Sequence, residues 1–252
     1  MSTEKPIWQE HFTVRTYELD PTGQASILTI CNYLQDVAEN NAFHLGFSMN
    51  NMLDKKRTWV LSRLHVQMER YPQWKELLTV ETWPSGANRL YGIRDFRIRD
   101  KTGTLLGRAT TAWAMFNLET RRPVRIPPQV EDAAETFRGR AIDDSFPKLP
   151  QLNQVDHHRV FTVRHSDLDV NQHVNHVSYI DWAMEAVPPL IWEYHQLRAV
   201  EVHFRAECFY GDRVISQCQH LPQPDGHHFL HQVRRKEDDQ EITRLRTIWR
   251  KV

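Results

Sequence analysis

The sequence is poor in the features that mark the more specialised protein classes. Its three cysteines, Cys31, Cys208 and Cys218, are too few and too irregularly spaced for a disulfide framework. A sparse, odd set fits a reducing compartment better than secretion. Glycine is scarce, at nine residues in 252, and no glycine-rich phosphate loop occurs. Charge is balanced, 32 basic against 32 acidic side chains, so no global field favours nucleic acid or an anionic membrane. No apolar run approaches the ~20 residues that span a bilayer. The opening stretch, MSTEKPIWQEHF, has neither an apolar h-region nor an Arg/Ser-rich presequence. Histidine is plentiful, but HExxH and CxxC spacings are missing, and the pairs His157-His158 and His227-His228 are adjacent, which turns their side chains apart in a strand. The expectation is a cytoplasmic protein without metal, cofactor, nucleic-acid partner or membrane contact. Its 40% apolar and 25% charged content is that of an ordinary globular chain of one or two domains.

What the chain does contain is an internal repeat. Residues 12–20 read FTVRTYELD and residues 161–169 read FTVRHSDLD, with six of nine positions identical at an offset of 149. Downstream the copies diverge. At the same offset Asn171 and His173 stand opposite Thr22 and Gln24. An Asp-x-Asn-x-His constellation kept in one copy and lost from the other points to one active site built by two homologous domains.

Each copy leads into an amphipathic helix. Val177, Ile180, Met184 and Val187 recur at three- and four-residue steps, as do Leu28, Cys31, Leu34 and Ala38. Gly46 marks one helix exit, and Pro188-Pro189 lies near the C-terminal part of the other. Strand-like segments follow, at 59–71, 77–83, 93–100 and 105–116, then at 200–209, 213–220, 228–236 and 241–250. There the offset is 136, pairing Arg108 with Arg244 and Trp113 with Trp249. The drop from 149 to 136 places an insertion of thirteen residues in the first copy, within 43–58. Asp100-Lys-Thr-Gly and Glu237-Asp-Asp read as hairpin turns in equivalent places. The expected domains are 1–120 and 159–252, joined by a proline-rich linker over 121–158 with a short helix near 129–137.

A helix followed by an antiparallel sheet, twice, predicts two α+β modules. The blocks WVLSRLHVQMERYPQW, IRDFRIRDKTGTLLGRATTAWAMFNLETRRPVRIP, DLDVNQHVNHVSYIDWAMEAVP and FRAEC stand in family order. Over nearly its whole length the chain resembles the acyl-acyl-carrier-protein thioesterases of plant plastids and their bacterial relatives. The resemblance implies a tandem hotdog, each half a long central helix wrapped by a curved antiparallel sheet. It implies hydrolysis of fatty acyl-acyl carrier protein, with release of free fatty acid and an end to chain elongation. An acyl-CoA thioesterase and a non-catalytic acyl-thioester binder are the alternatives, and homodimer formation stays open.

The family's functional residues fall on Asp169, Asn171, His173, Glu207 and Cys208, the candidate catalytic set. Asp169, Asn171 and His173 occupy alternate positions and so share a side in an extended segment. An imidazole is a competent general base at neutral pH. Asn171 can orient it or a water, and Asp169 can fix its tautomer or act on water itself. The following helix N-terminus offers N–H groups to an oxyanion. At the 136 offset Glu207-Cys208 stand opposite Tyr71-Pro72. Two routes fit: attack by Cys208 supported by His173 and Asn171, or water activated by a carboxylate with His173. Single-hotdog relatives carry their carboxylate where Asp169 stands, which favours water. Taken singly, Asp169 reads as a turn or cap, His173 as a solvated loop residue and Cys208 as core. Their conjunction in one copy and loss from its twin favours function.

By the same resemblance the first half supplies the pocket that measures acyl length, with Met49, Met52 and Leu53 as candidate lining; methionine suits an adaptable pocket. Basic clusters at Arg94, Arg97, Arg99 and Lys101, and at Arg121, Arg122 and Arg125, are candidate faces for an acidic carrier protein, the second being the preferred docking site.

Overall fold

A computed structural model describes residues 7–135 and 139–252, in two compact units divided between Ser145 and Phe146. In the first, β1 (Trp8–Thr13) precedes α1 (Ile27–His44) and α2 (Met49–Leu53). Then come β2 (Arg57–Met68), β3 (Leu77–Ala87), β4 (Tyr91–Asp100), β5 (Leu105–Asn117), β6 (Arg122–Val124) and α3 (Pro128–Glu135). The strand order is β1-β3-β4-β5-β2, with β6 on β5. In the second unit, β7 (His157–Thr162) precedes α4 (His176–Met184), α5 (Pro189–Tyr194), β8 (His195–Phe204), β9 (Arg213–Gln223), β10 (Gly226–Arg235) and β11 (Glu241–Lys251). Its order, β8-β11-β10-β9-β7, is that of the first unit read from the other end. Each unit is a hotdog, a helix against an antiparallel sheet.

The duplication reaches down to register. Phe12 lies opposite Leu78 and Phe161 opposite Val214, a match at offsets of 149 and 136. Val66 pairs with Ala109 as Val202 pairs with Leu245. A one-residue slip would turn a strand's buried face outward, so a shared register means a shared core.

Ser26 begins α1 as its N-cap, accepting from the Thr29 N–H at 3.1 Å. The helix buries Ala38 and also Ile27, Ile30, Leu34 and Val37, each of these four larger side chains contributing roughly 1.5–3 kcal/mol. α4 is shorter because Pro188 and Pro189 interrupt it, and α5 runs directly into β8. In the first unit residues 45–56 intervene between helix and sheet, which is where the offset change placed the extra length.

The proline-rich stretch is built into both units. β6 and α3 lie within it, and positions 136–137 of the expected helix fall outside the described residues. In the first unit, buried Asp95 accepts from Arg140 Nε at 3.0 Å and from the Ala141 N–H at 2.7 Å. His65 Nδ1 meets Asp144 Oδ2 at 2.7 Å. In the second, Arg244 Nη1 donates to the Leu149 carbonyl at 2.7 Å.

Two expectations need correction. Arg94, Arg97, Arg99 and Lys101 do not form one basic face. Arg94 donates to Asn41 of α1 at 2.6 Å and to Thr82 at 3.1 Å, and burial lowers its pKa to about 10. Arg97 and Arg99 pair with Glu81. The strand expected over 200–209 ends at Phe204, because the N–H groups of Arg205 and Ala206 both turn to the Ile242 carbonyl.

Burial lowers the pKa of His231 to about 3 and of His176 to about 4. An unfolded chain protonates these imidazoles near pH 6.5 and the folded one does so only at lower pH. Stability therefore falls as pH drops from about 6.5 towards 4, by up to ~1.4 kcal/mol per pH unit for each histidine. Urea unfolding between about pH 7 and pH 4.5 should show this loss, and His231→Gln should flatten it.

Candidate active site

The loop between β7 and α4 is a closed turn built by one carboxylate oxygen. Asp169 Oδ1 accepts from the Asn171 N–H at 2.8 Å and from the His173 N–H at 3.3 Å. The Asp169 N–H donates back to the His173 carbonyl at 2.8 Å, and Gln172 is held at φ 62°. The Val174 N–H ties the loop to the Cys208 carbonyl at 3.2 Å.

The first unit builds the same turn without the same chemistry. Asp20 Oδ1 accepts from the Thr22 N–H at 2.8 Å and the Gln24 N–H at 3.3 Å. Gly23 supplies the positive φ, at 81°. The Ala25 N–H donates to the Pro72 carbonyl at 2.8 Å, at the position equivalent to Cys208. The turn is thus a feature of the fold, and the capping reading of Asp169 holds for Oδ1. His173 occupies the place of Gln24, and Glu207 the place of Tyr71.

His173 and Glu207 come together, with Nδ1 3.5 Å from Oε1 and both side chains partly open to solvent. The Phe209 ring stands edge-on to the imidazole at 5.3 Å between centroids. Asn171 is exposed two residues away. Asn175 caps α4, its side chain accepting from the Val177 N–H at 3.0 Å. The positive end of the helix dipole thus begins three residues beyond His173.

Cys208 sits apart from this exposed pair. It is 0% exposed, and burial pushes its thiol up to about 12. The Cys208 N–H donates to the Tyr179 hydroxyl at 3.0 Å. Tyr179 and Phe209 were not foreseen. Tyr179 reads as one more apolar residue of the α4 face, and only the packing of that helix against the 205–212 segment brings its hydroxyl to Cys208.

Of the candidate pocket residues, Met52 packs with Met115, Ile126 and Val130, beside Phe47 and Trp59. Met49 is half-buried, whereas Leu53 is 41% exposed. Arg121, Arg122 and Arg125 are all exposed. Among the described residues no group of three or more His, Cys, Asp or Glu is placed to hold a metal ion. No described helix is long and apolar enough to cross a membrane.

The Acyl-ACP thioesterase N-terminal domain profile matches residues 5–134, and the C-terminal domain profile matches residues 151–251. The chain belongs to the acyl-ACP thioesterase family. Among its relatives, oleoyl-acyl carrier protein thioesterase 2 of Arabidopsis thaliana is 34% identical over 97% of this chain and 77% of its own length. The 12:0-ACP thioesterase from Umbellularia californica superposes with a TM-score of 0.87 at 33% identity, covering 98% of each chain. An acyl-ACP thioesterase from Bacteroides thetaiotaomicron superposes with a TM-score of 0.87 at 27% identity, covering 96% of this chain and 97% of its own. For this member of the acyl-ACP thioesterase family, the tandem hotdog follows from both the strand order and the neighbours.

The Tyr179 contact gives a direct test. Tyr179→Phe leaves the buried Cys208 N–H without its acceptor, which costs roughly 1–3 kcal/mol. Chemical denaturation should register that loss, and turnover should fall with it as the Glu207 segment loosens.

Proposed function

We propose that the chain hydrolyses the thioester of fatty acyl-acyl carrier protein, releasing free fatty acid and ending chain elongation in fatty acid biosynthesis. The observation that carries the reading is the His173–Glu207 contact on an anchored turn of the C-terminal unit, in a chain of this family. The relatives are named for oleoyl, palmitoyl and dodecanoyl substrates. Family membership therefore speaks for the bond broken and not for the acyl length. The acyl chain is assigned to the N-terminal unit, where Met52 belongs to a packed apolar cluster. Leu53 is 41% exposed at the end of α2, and Met49 is half-buried at its start.

In the proposed reaction water is the nucleophile. His173 takes its proton as the oxygen attacks the thioester carbonyl carbon, and Glu207 orients the imidazole and offsets its positive charge. Asn171 positions the water. Asp169 holds the turn through Oδ1 and presents Oδ2 to the same water. The oxyanion is stabilised by the dipole at the start of α4. Collapse breaks the carbon–sulfur bond, and the imidazolium returns its proton to the leaving thiolate. Every step uses side chains and water and draws on no cofactor.

The Cys208 route is disfavoured by burial. A thiol pushed up to about 12 is ionised at only ~10⁻⁵ of sites at pH 7, whereas a nucleophilic cysteine needs a depressed pKa. Cys208 acts through its main chain, holding the loop with its carbonyl.

Thiol release from matched palmitoyl esters of acyl carrier protein and coenzyme A tests both claims. Faster hydrolysis of the carrier ester is expected. Cys208→Ala should keep kcat within about tenfold, while His173→Ala and Glu207→Gln should lose roughly 10²–10⁴-fold. A loss of several orders of magnitude in Cys208→Ala would sink the water route. Better use of the coenzyme A ester would make the protein an acyl-CoA thioesterase. Silence with both, and across a chain-length series, would make it a binder.

A further inference from the structure

We infer that one end of the N-terminal unit is the docking surface for the carrier protein; the inference rests on the function proposed above. The sequence offers Arg121, Arg122 and Arg125 as a short basic run. The fold gathers a larger surface around it from segments distant in the chain. Arg57 of β2 lies opposite Asn117 of β5, which lies opposite Arg122 of β6. The Leu118 N–H donates to the Lys56 carbonyl at 3.0 Å, which brings the turn holding Lys55 and Lys56 against the β5–β6 turn. The Ile126 N–H donates to the Arg89 carbonyl at 3.2 Å, adding Arg89 of the β3–β4 turn beside Arg125.

These cations are only partly offset. Glu119 pairs with Lys56 and Glu131 lies 3.9 Å from Arg125, surface pairs of small energetic weight, and exposed Asp54 stands next to Lys55. The chain as a whole carries no net charge, so the concentration of cations here is local. Apolar side chains stand nearby in the chain: Leu90 and Leu118, on two of the same turns, are each 45% exposed, and Leu53, which ends α2 just before Lys55, is 41% exposed. Exposed leucines on the segments that carry these cations suit a protein partner that presents acidic side chains beside a small apolar patch. An acyl carrier protein has that character, and the proposed substrate is carried on one. A lipid surface would meet the same charge, but the reaction requires no membrane.

The test is a charge reversal, Lys55→Glu with Arg89→Glu and Arg122→Glu, assayed on two substrates bearing one acyl group. One substrate is the acyl carrier protein ester and the other the N-acetylcysteamine thioester, which carries no protein to dock. KM for the carrier ester should rise about tenfold or more, and the salt dependence of kcat/KM should flatten. Turnover of the small thioester and the melting temperature should stay as in the unaltered protein. Unchanged KM for the carrier ester at low salt, or a parallel loss on both substrates, would overturn the inference. So would loss of binding to phosphatidylglycerol vesicles with KM for the carrier ester unchanged, which would give the patch to a membrane. If the unaltered protein cleaves the small thioester and not the carrier ester, docking fails while the hydrolytic site stands. If it cleaves neither, the functional reading fails and the docking inference with it.

Discussion

One carboxylate oxygen organises the region on which the proposed chemistry depends. Asp169 Oδ1 collects the N–H groups of Asn171 and His173, and the Cys208 carbonyl holds the next N–H, that of Val174. Together they set the direction of the His173 side chain and bring it within reach of Glu207. The turn is strained at Gln172, a non-glycine residue in the left-handed region, a conformation that costs roughly 1–2 kcal/mol. Such a conformation persists only where its surroundings hold it, and here the bonds to Asp169 and Cys208 do so.

The twin turn shows what belongs to the fold and what belongs to the reaction. Asp20 and the Pro72 carbonyl make the same bonds, and the same register runs through both sheets. A hotdog needs this turn to bring its first strand round to its helix. It does not need an imidazole or a second carboxylate beside it. Thr22, Gln24 and Tyr71 occupy those places in the first unit without disturbing the backbone. The same backbone turn thus forms with and without the candidate catalytic side chains. The insertion between α1 and β2 belongs to the first half alone, and it carries Met52 into the core and Leu53 to the surface.

Much of the fold was legible because its signals are local. The helix periodicities, the positive-φ Gly46 after α1 and the Pro188-Pro189 break are properties of neighbouring residues. The shift in offset located the insertion because duplication supplied an internal alignment. What could not be read depends on partners distant in the chain. Arg94 looks like its neighbours Arg97 and Arg99, yet the pleat turns it to the helix side of β4, where Asn41 and Thr82 receive it. The proline-rich stretch looks like a tether. Within it, however, Arg140 and Ala141 donate to buried Asp95, and the Leu149 carbonyl accepts from Arg244, which also pairs with Glu241. Strand pattern carries through Glu207-Cys208, but the Ile242 carbonyl draws off two consecutive N–H groups and ends the ladder at Phe204.

The candidate site divides in the same way. The sequence by itself singled out the candidate residues, since reactive types kept in one copy and missing from its twin need no coordinates to be seen. It determined the two-module architecture as well, because periodicity and repeat are one-dimensional facts. Only the tertiary structure decided their surroundings. It set His173 3.5 Å from Glu207 and left both partly exposed. It buried Cys208 beneath Tyr179, raising the thiol to about 12. It gathered Arg57, Arg89 and Arg122 from segments distant in the chain. Distance, burial and local charge density are set by which strands pair and which faces pack, and a linear sequence does not state those quantities.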